Sequence, residues 1–252
     1  MTGVGAPTIF STDRRALRAA RAARRQASKK AATFLLDEIA EEVAERLAFM
    51  RFLPERALVL GDPSGRLSDR LRELGGEVET RAIGSFDEEA PIEGGPFDLV
   101  ASVLSLDTVN DLPGALIHLR GALTQGGLAV AALPAAGSLP ALRAAMLAAD
   151  GERPAARIHP LVDAGSGAAL LQRAGFARQV ADSFTVRASY ESLARLTEDL
   201  RDQGLTSTLA STAPPLSKTA LERARTTFAG LADSDGRTIE TFEVLMLTGW
   251  KD

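Results

Sequence analysis

The pattern that most constrains this chain is an alternation of apolar runs and amphipathic segments, which begins after Pro54. Residues 57–61 are almost entirely apolar, and a glycine-containing turn separates them from a helical pattern at residues 66–74. Continuously apolar strands followed by helices are typical of a mostly parallel sheet with helices on both faces. We therefore predict an α/β fold for residues 54–252, with no linker long enough to divide it.

The same alternation continues to the end of the chain. We predict further strands at residues 77–83, 97–103, 128–133, 179–186 and 238–250. We predict further helices at residues 111–123, 138–149, 166–174, 190–203 and 217–231. The last two of these helices lie in a helical insert at about residues 190–231.

Residues 1–53 are predicted to be a helical extension. Eight basic residues, the first Arg14 and the last Lys30, lie in a stretch that contains no acidic residue. Ser11 and its neighbours supply N-cap chemistry for this basic helix, whose alanine and arginine residues favour helix. A second helix, at about residues 31–49, carries five acidic residues beside an apolar stripe at helical spacing.

The function of the basic helix stays open among four interpretations. It is a solvated helix face, a docking surface for an acidic protein partner, a contact for nucleic acid or a membrane surface, or a mitochondrial import signal. The net charge of −4 and the aromatic content of 5% argue against nucleic acid, because no stacking surface accompanies the basic run. We expect a protein partner and no nucleic-acid partner.

Composition excludes several kinds of site. The chain has no cysteine, so it has neither disulfides nor a thiolate nucleophile. Its two histidines, His118 and His159, have no recognisable metal-ligand partners, and we predict no metal site. No apolar run approaches the roughly 20 residues that span a bilayer, so we predict no transmembrane segment.

Several segments carry a family resemblance through their order and spacing. They are the strand at residues 58–60 with Gly61 and Gly65, the segment at residues 97–100, the pair Gly126-Gly127, and residues 168–176. Together they resemble class I S-adenosylmethionine-dependent methyltransferases. Residues 105–116 resemble the branch that contains malonyl-carrier-protein methyltransferases and an assembly factor of respiratory complex I. Residues 7–10 and 241–250 are similar to that assembly-factor group, which is known as an arginine hydroxylase.

The resemblance implies a Rossmann-like class I methyltransferase fold, with a mostly parallel sheet and an antiparallel C-terminal strand. One βα unit is expected to be shortened or absent. About 13 residues separate Ile83 from Phe97, whereas a complete unit with its strands needs roughly 30.

The resemblance also implies a site for S-adenosylmethionine at the glycine-rich turn. The candidate cofactor-binding residues are Gly61, Ser64, Gly65 and Asp87, of which Asp87 corresponds to the family acid that contacts the adenine amine. Asp87 also fits a solvated acidic loop.

The cofactor motif departs from the family pattern at three positions. The acid that begins the motif is Val59, and the middle glycine is Pro63, which lacks an N–H donor. The acid that binds the ribose hydroxyls falls at Ala82 when the two glycines set the register, although a shifted register would bring Glu79 there. The sequence therefore predicts a degenerate cofactor site.

Two functional hypotheses follow. The first is a non-catalytic, methyltransferase-like protein that acts as an assembly or regulatory partner, with the basic helix as a docking surface. The second is an active S-adenosylmethionine-dependent methyltransferase or a related protein-modifying enzyme. The sequence identifies no catalytic residue. The composition suits a bacterial cytoplasm, with the mitochondrial matrix as the alternative location.

Overall fold

The computed structural model describes residues 8–252. Residues 1–7, which include Pro7 of the N-terminal motif and the start of the predicted extension, lie outside the described part. The eight α-helices of that part are α1 Thr12–Gln26, α2 Phe34–Phe49, α3 Arg66–Glu73, α4 Leu112–Gly121, α5 Pro140–Asp150, α6 Ala164–Arg173, α7 Leu193–Asp202 and α8 Lys218–Ala229. The six strands are β1 Arg56–Gly61, β2 Glu77–Arg81, β3 Phe97–Val103, β4 Leu123–Pro134, β5 Ala177–Tyr190 and β6 Thr238–Trp250.

The strands form one sheet in the order β2-β1-β3-β4-β6-β5. β1 pairs in parallel with β2 and β3, and β3 pairs in parallel with β4. β6 lies antiparallel between β4 and β5. The predicted α/β fold with a mostly parallel sheet and an antiparallel C-terminal strand is confirmed.

The helices cover both faces of the sheet because side chains alternate along each strand. Ala57 and Val59 of β1 pack on one face, in the core that is formed with α2, α3, α5, α7 and α8. Leu58 and Leu60 pack on the other face, in the core that is formed with α4 and α6. All four side chains are fully buried, which explains why the β1 sequence is continuously apolar.

The connection between β2 and β3 is a loop, residues 82–96, that contains neither helix nor strand. One βα unit is therefore absent at this edge of the sheet, as the short spacing predicted. β2 is consequently an edge strand, and its alternating polar residues are half-buried or exposed. The loop is free to pack against the N-terminal segment instead of supporting another strand.

Most predicted elements lie within a few residues of the observed ones, with three informative differences. β4 begins at Leu123, directly after α4, because Gly126-Gly127 forms an irregular strand start rather than a separate turn. β5 extends to Tyr190, since its pairing with β6 continues without interruption from Val180. α2, which was predicted as part of an N-terminal extension, packs into the α/β domain, because Ile39 and Leu47 are buried in the same core as β1.

Candidate functional site at the carboxyl ends of the parallel strands

The glycine-rich turn follows β1, at the point where the strand order reverses between β1 and β3. Ligands of open α/β sheets bind at such a switch point, outside the carboxyl ends of the strands. Gly61 lies opposite Val103 of β3 and has φ of 90°. A Cβ atom at Gly61 would lie 2.1 Å from the Val103 carbonyl oxygen, so only glycine fits there.

The rest of the turn is closed by its own hydrogen bonds. Asp62 is buried, and its Oδ2 accepts the backbone N–H of Ser68 at 2.9 Å and the Ser68 hydroxyl at 2.7 Å. The Gly65 N–H donates to the Asp62 carbonyl at 3.0 Å, and Gly65 has φ of 75° as it begins α3. Asp62 thus satisfies donors at the N-terminus of α3 and adds a negative charge to the turn.

The other predicted positions surround this turn. Ser64 is half-buried beside Asp62, with its hydroxyl 3.4 Å from Asp62 Oδ1. Val59 is fully buried in the apolar core. Pro63 and Ala82 line the same small cavity, so the end of β2 does lie next to the glycine-rich turn.

Helix α1 occupies the space above these strand ends. Arg15 is buried and makes a bidentate ion pair with Glu88 of the β2–β3 loop, at 2.8 and 2.5 Å. It also donates to the Thr108 hydroxyl at 3.0 Å and to the Ser105 carbonyl at 2.6 Å. All three nitrogen atoms of this guanidinium therefore donate to acceptors of the chain itself.

Arg18, one helical turn further along, makes a second buried ion pair. Its two Nη atoms lie 3.2 and 3.3 Å from the carboxylate oxygens of Asp107, in the 3₁₀ turn Leu106–Thr108. It also donates to the Thr108 hydroxyl at 3.0 Å. The Arg18 and Asp107 side chains are each 2% exposed. The basic helix is therefore not simply a solvated face, because two of its arginines lie inside the molecule.

The space left between α1 and the glycine-rich turn is small. A cavity of about 40 Å³ remains there, lined by Arg18, Ala19 and Ala22 of α1 together with Gly61, Pro63 and Ala82. A pocket that buries a drug-sized ligand needs roughly 300 Å³ or more. The small side chains of Ala19 and Ala22 let the helix approach the turn closely.

Further contacts fix both ends of α1. The side-chain amide of Asn110 accepts the N–H groups of Ile9 and Phe10, at 2.8 and 2.9 Å, and donates to the Phe10 carbonyl. At the other end, Arg25 pairs with Glu198 and Asp202 of α7. These hydrogen bonds raise the pKa of Arg25, and the pKa of Glu198 is lowered by the same guanidinium.

Asp87 and the adjacent Glu88 lie in different environments, one exposed and one buried. Asp87 is exposed, and its carboxylate accepts the N–H of Glu89 at 2.9 Å within the loop. Glu88 is 1% exposed and is the acid that points into the site. Sequence reasoning missed Glu88 and Asp107 as partners of the basic helix. The available signal was the spacing of Arg15, Arg18 and Ala22, which lie on one face of a helix.

A much larger cavity, of about 370 Å³, lies on the other side of Asp107. It is located beside the end of β4 and under α5, α7 and α8. Most of its walls are apolar, including Leu139, Leu142, Leu200 and Phe242.

His159 lies between this cavity and the N-terminal segment. It is 9% exposed, its ring packs edge-on against Phe10 at 5.1 Å, and its Nε2 accepts the Thr208 N–H at 2.8 Å. Burial is the main cause that lowers the pKa of His159 to about 4; Asp107 opposes this shift, and Arg18 and Arg14 add to it. His159 is therefore a neutral ring at physiological pH.

Residues 8–252 contain neither a candidate metal site nor a membrane-spanning helix. No group of three or more histidine, cysteine, aspartate or glutamate side chains could hold a metal ion. Within the same residues, no helix is both long and apolar enough to cross a membrane.

Comparisons with known proteins place the fold. A crystal structure of a candidate methyltransferase from Bacillus halodurans C-125 superposes with a TM-score of 0.51 at 13% identity, covering 82% of this chain and 98% of the other. Malonyl-[acyl-carrier protein] O-methyltransferase of Gallionella capsiferriformans is 25% identical, over 96% of this chain and 92% of the relative. The chain has the Rossmann-like fold of methyltransferases, and its sequence is similar to members of the class I methyltransferase superfamily.

Within this superfamily, the chain is also similar to the mitochondrial arginine-hydroxylase NDUFAF5. The mouse protein is 30% identical over 179 residues, which are 69% of this chain and 52% of the relative. The human protein is 28% identical over the same shares. The chain therefore spans about half the length of these arginine-hydroxylases. No family model matches the chain.

Proposed function

We propose that this chain is a non-catalytic member of the superfamily, in which helix α1 takes the place of the cofactor, and that it acts as an assembly or regulatory partner. The observation that carries the proposal is the burial of Arg15 and Arg18 above the glycine-rich turn, with a cavity of only about 40 Å³ beside them. The superfamily resemblance would place S-adenosylmethionine in this space.

The residues present do not fit S-adenosylmethionine. Val59 and Ala82 cannot accept hydrogen bonds from ribose hydroxyls or an ordered water, and Pro63 has no N–H to offer a ligand. Asp62 already binds donors at the start of α3, and its charge opposes the carboxylate of the cofactor's amino-acid end. These residues and the position of α1 all oppose the binding of S-adenosylmethionine.

A ligand could enter only if α1 moved away. The two buried ion pairs of Arg15 and Arg18 would then have to break, and so would the hydrogen bonds between Asn110 and the backbone before α1. Each 1.4 kcal/mol by which the closed state is favoured weakens the apparent affinity of such a ligand by about tenfold. If closure is favoured by a few kilocalories per mole, the apparent dissociation constant of the ligand rises well above micromolar values.

Calorimetric titration tests this part of the proposal. The full chain is titrated with S-adenosylmethionine and S-adenosylhomocysteine up to the millimolar range, and the unfolding temperature is measured with and without each ligand. We expect no saturable heat and no thermal shift. Saturable binding of either ligand, accompanied by a thermal shift, would contradict the proposal, since it would show a working cofactor site.

A second candidate function is an active S-adenosylmethionine-dependent methyltransferase or a related protein-modifying enzyme. The observation that favours it is the backbone of the turn, because Gly61 and Gly65 both keep positive φ angles as a glycine-rich cofactor turn requires. The titration described above separates this candidate from the first.

The outward face of α1 is the surface that we propose for a protein partner. Leu17 is 68% exposed, Arg24 is exposed seven residues further along α1, and Lys29 and Lys30 are exposed just after the helix ends. An acidic surface with an apolar centre would complement them.

The relatives NDUFAF5 are named as mitochondrial. For this chain we propose a bacterial cytoplasm, which cell fractionation would test.

Charge reversal tests the partner surface. The triple variant Arg24→Glu, Lys29→Glu, Lys30→Glu should lose partners that cross-link to the wild-type chain in cells. Reversal of Arg143, Arg153 and Arg173, which are exposed elsewhere on the chain, changes the net charge equally; it is the matched control and should keep them. Equal cross-linking of both variants would contradict the proposal that this surface binds a partner.

A further inference from the structure

The cavity of about 370 Å³ under α5, α7 and α8 is separate from the space that α1 fills. Its deepest residues, Leu35, Leu193, Leu200 and Phe242, are all buried. Toward solvent its walls are formed by half-buried side chains, and the exposed Ala194 and Arg225 mark the rim. The cavity is therefore a pocket with an apolar interior and one accessible end.

Several polar groups in the walls are already paired within the protein. The Ser138 hydroxyl exchanges hydrogen bonds with the backbone of Glu243 at 3.0 and 2.9 Å. The Thr197 hydroxyl donates to the Leu193 carbonyl at 2.8 Å, and Asp107 is paired with Arg18. A ligand with many polar groups would lose its hydration without finding partners here.

The rim offers a positive charge that is free to change partners. Arg225 makes an ion pair with Glu222 at 2.6 Å, but both side chains are more than half exposed. Such surface pairs contribute little, so a ligand's anionic group can compete for this guanidinium. Arg157, which also lines the cavity, is held by Asp150 at 2.9 and 2.7 Å.

We propose that this cavity binds a linear aliphatic chain with a carboxylate at its outer end, close to Arg225. The leucine-rich walls match methylene groups, which need no hydrogen bonds. A water molecule takes about 30 Å³ of liquid, and a methylene is of similar size, so the cavity holds up to about twelve carbons. The ligand class is thus a saturated fatty acid of medium chain length.

Titration of the full chain with octanoate, decanoate and dodecanoate, each below its micelle concentration, tests the site. The dissociation constant should fall roughly fourfold for each added methylene until the cavity is filled. Hexadecanoate should gain little more. Absence of saturable binding for every chain length would overturn the proposal.

Cavity-filling variants locate the binding. Leu142→Trp and Met146→Trp place an indole in the cavity and should weaken decanoate binding at least tenfold. Leu147→Trp is the matched control, because Leu147 lies on the exposed face of the same helix. Using both filling variants protects against one that fails to fold. Equal binding by all three variants would place the ligand elsewhere and contradict the site.

A charge variant tests the position of the carboxylate. Arg225→Gln should weaken decanoate severalfold and leave 1-decanol unchanged, because the alcohol has no charge to pair. Lys218→Gln, exposed at the start of the same helix, should change neither ligand. A parallel loss for decanoate and 1-decanol in Arg225→Gln would contradict the role of Arg225.

Discussion

Arg15 of α1 and Glu88 of the β2–β3 loop form a bidentate ion pair that is almost completely buried. The pair joins the N-terminal helix to the loop that replaces an absent βα unit. Because both partners are removed from water, each charge depends on the other for its stability. This contact explains how one shortened loop and one basic helix together close the carboxyl end of the sheet.

Removal of one partner should therefore be costly. Arg15→Ala leaves Glu88 buried without its counter-charge, and we expect a loss of about 3–5 kcal/mol in the free energy of unfolding. Arg24→Ala changes an exposed arginine of the same helix and should stay within about 0.5 kcal/mol. Urea unfolding of both variants measures the difference. A similar small loss in both would show that the pair is not buried in solution.

The two adjacent acids of the loop should behave differently. Glu88→Gln removes the charge that neutralises Arg15, so we expect destabilisation of several kcal/mol. Asp87→Asn keeps the exposed turn and should cost less than about 1 kcal/mol. Thermal unfolding of the two variants, side by side, shows which acid points inward. Greater sensitivity at Asp87 would reverse the assignment.

Replacement of Gly61 should destabilise the fold more than replacement of a glycine whose only requirement is a positive φ. Gly61→Ala adds a Cβ that would meet the Val103 carbonyl oxygen, in addition to the cost of the left-handed backbone. We expect at least about 3 kcal/mol of destabilisation. At the control position, Gly126, φ is also positive and a Cβ meets no atom within 4 Å. Its alanine variant should lose about 1–2 kcal/mol, and an equal loss in both would refute the close approach of β1 and β3.

Burial of His159 makes stability depend on pH. Its pKa is about 4 in the folded chain, against 6.5 for a histidine exposed to water, so the unfolded chain binds the proton first as pH falls. Stability should therefore decrease between pH 6.5 and pH 4, by on the order of 3 kcal/mol from this group. The His159→Asn variant should show a flatter stability profile in that range. Parallel profiles for the variant and the wild type would rule out this linkage.

The sequence predicted the sheet well because burial on both faces leaves a strong signal. Residues 57–61 are apolar throughout since each side chain enters one of two cores. The absent βα unit was visible from spacing alone. These features depend on local pattern and chain length, which a single sequence displays directly.

The site was less predictable because it depends on contacts between distant residues. Arg15 and Glu88 are 73 positions apart, and Arg18 and Asp107 are 89 apart. A run of basic residues usually faces solvent, and nothing in its composition shows which arginines turn inward. The choice of Asp87 over Glu88 failed to find the buried acid for the same reason, since adjacent acids in a loop have no periodicity to separate them.

The most direct test measures where α1 lies in solution. Since the chain has no cysteine, single cysteines at Arg24 of α1 and Glu73 of α3 can carry two spin labels, both at exposed positions. Pulsed electron resonance should give one narrow distance distribution that millimolar S-adenosylhomocysteine does not change. A broad distribution, or a shift to longer distances when the ligand is added, would contradict the proposal that α1 permanently occupies the cofactor's place.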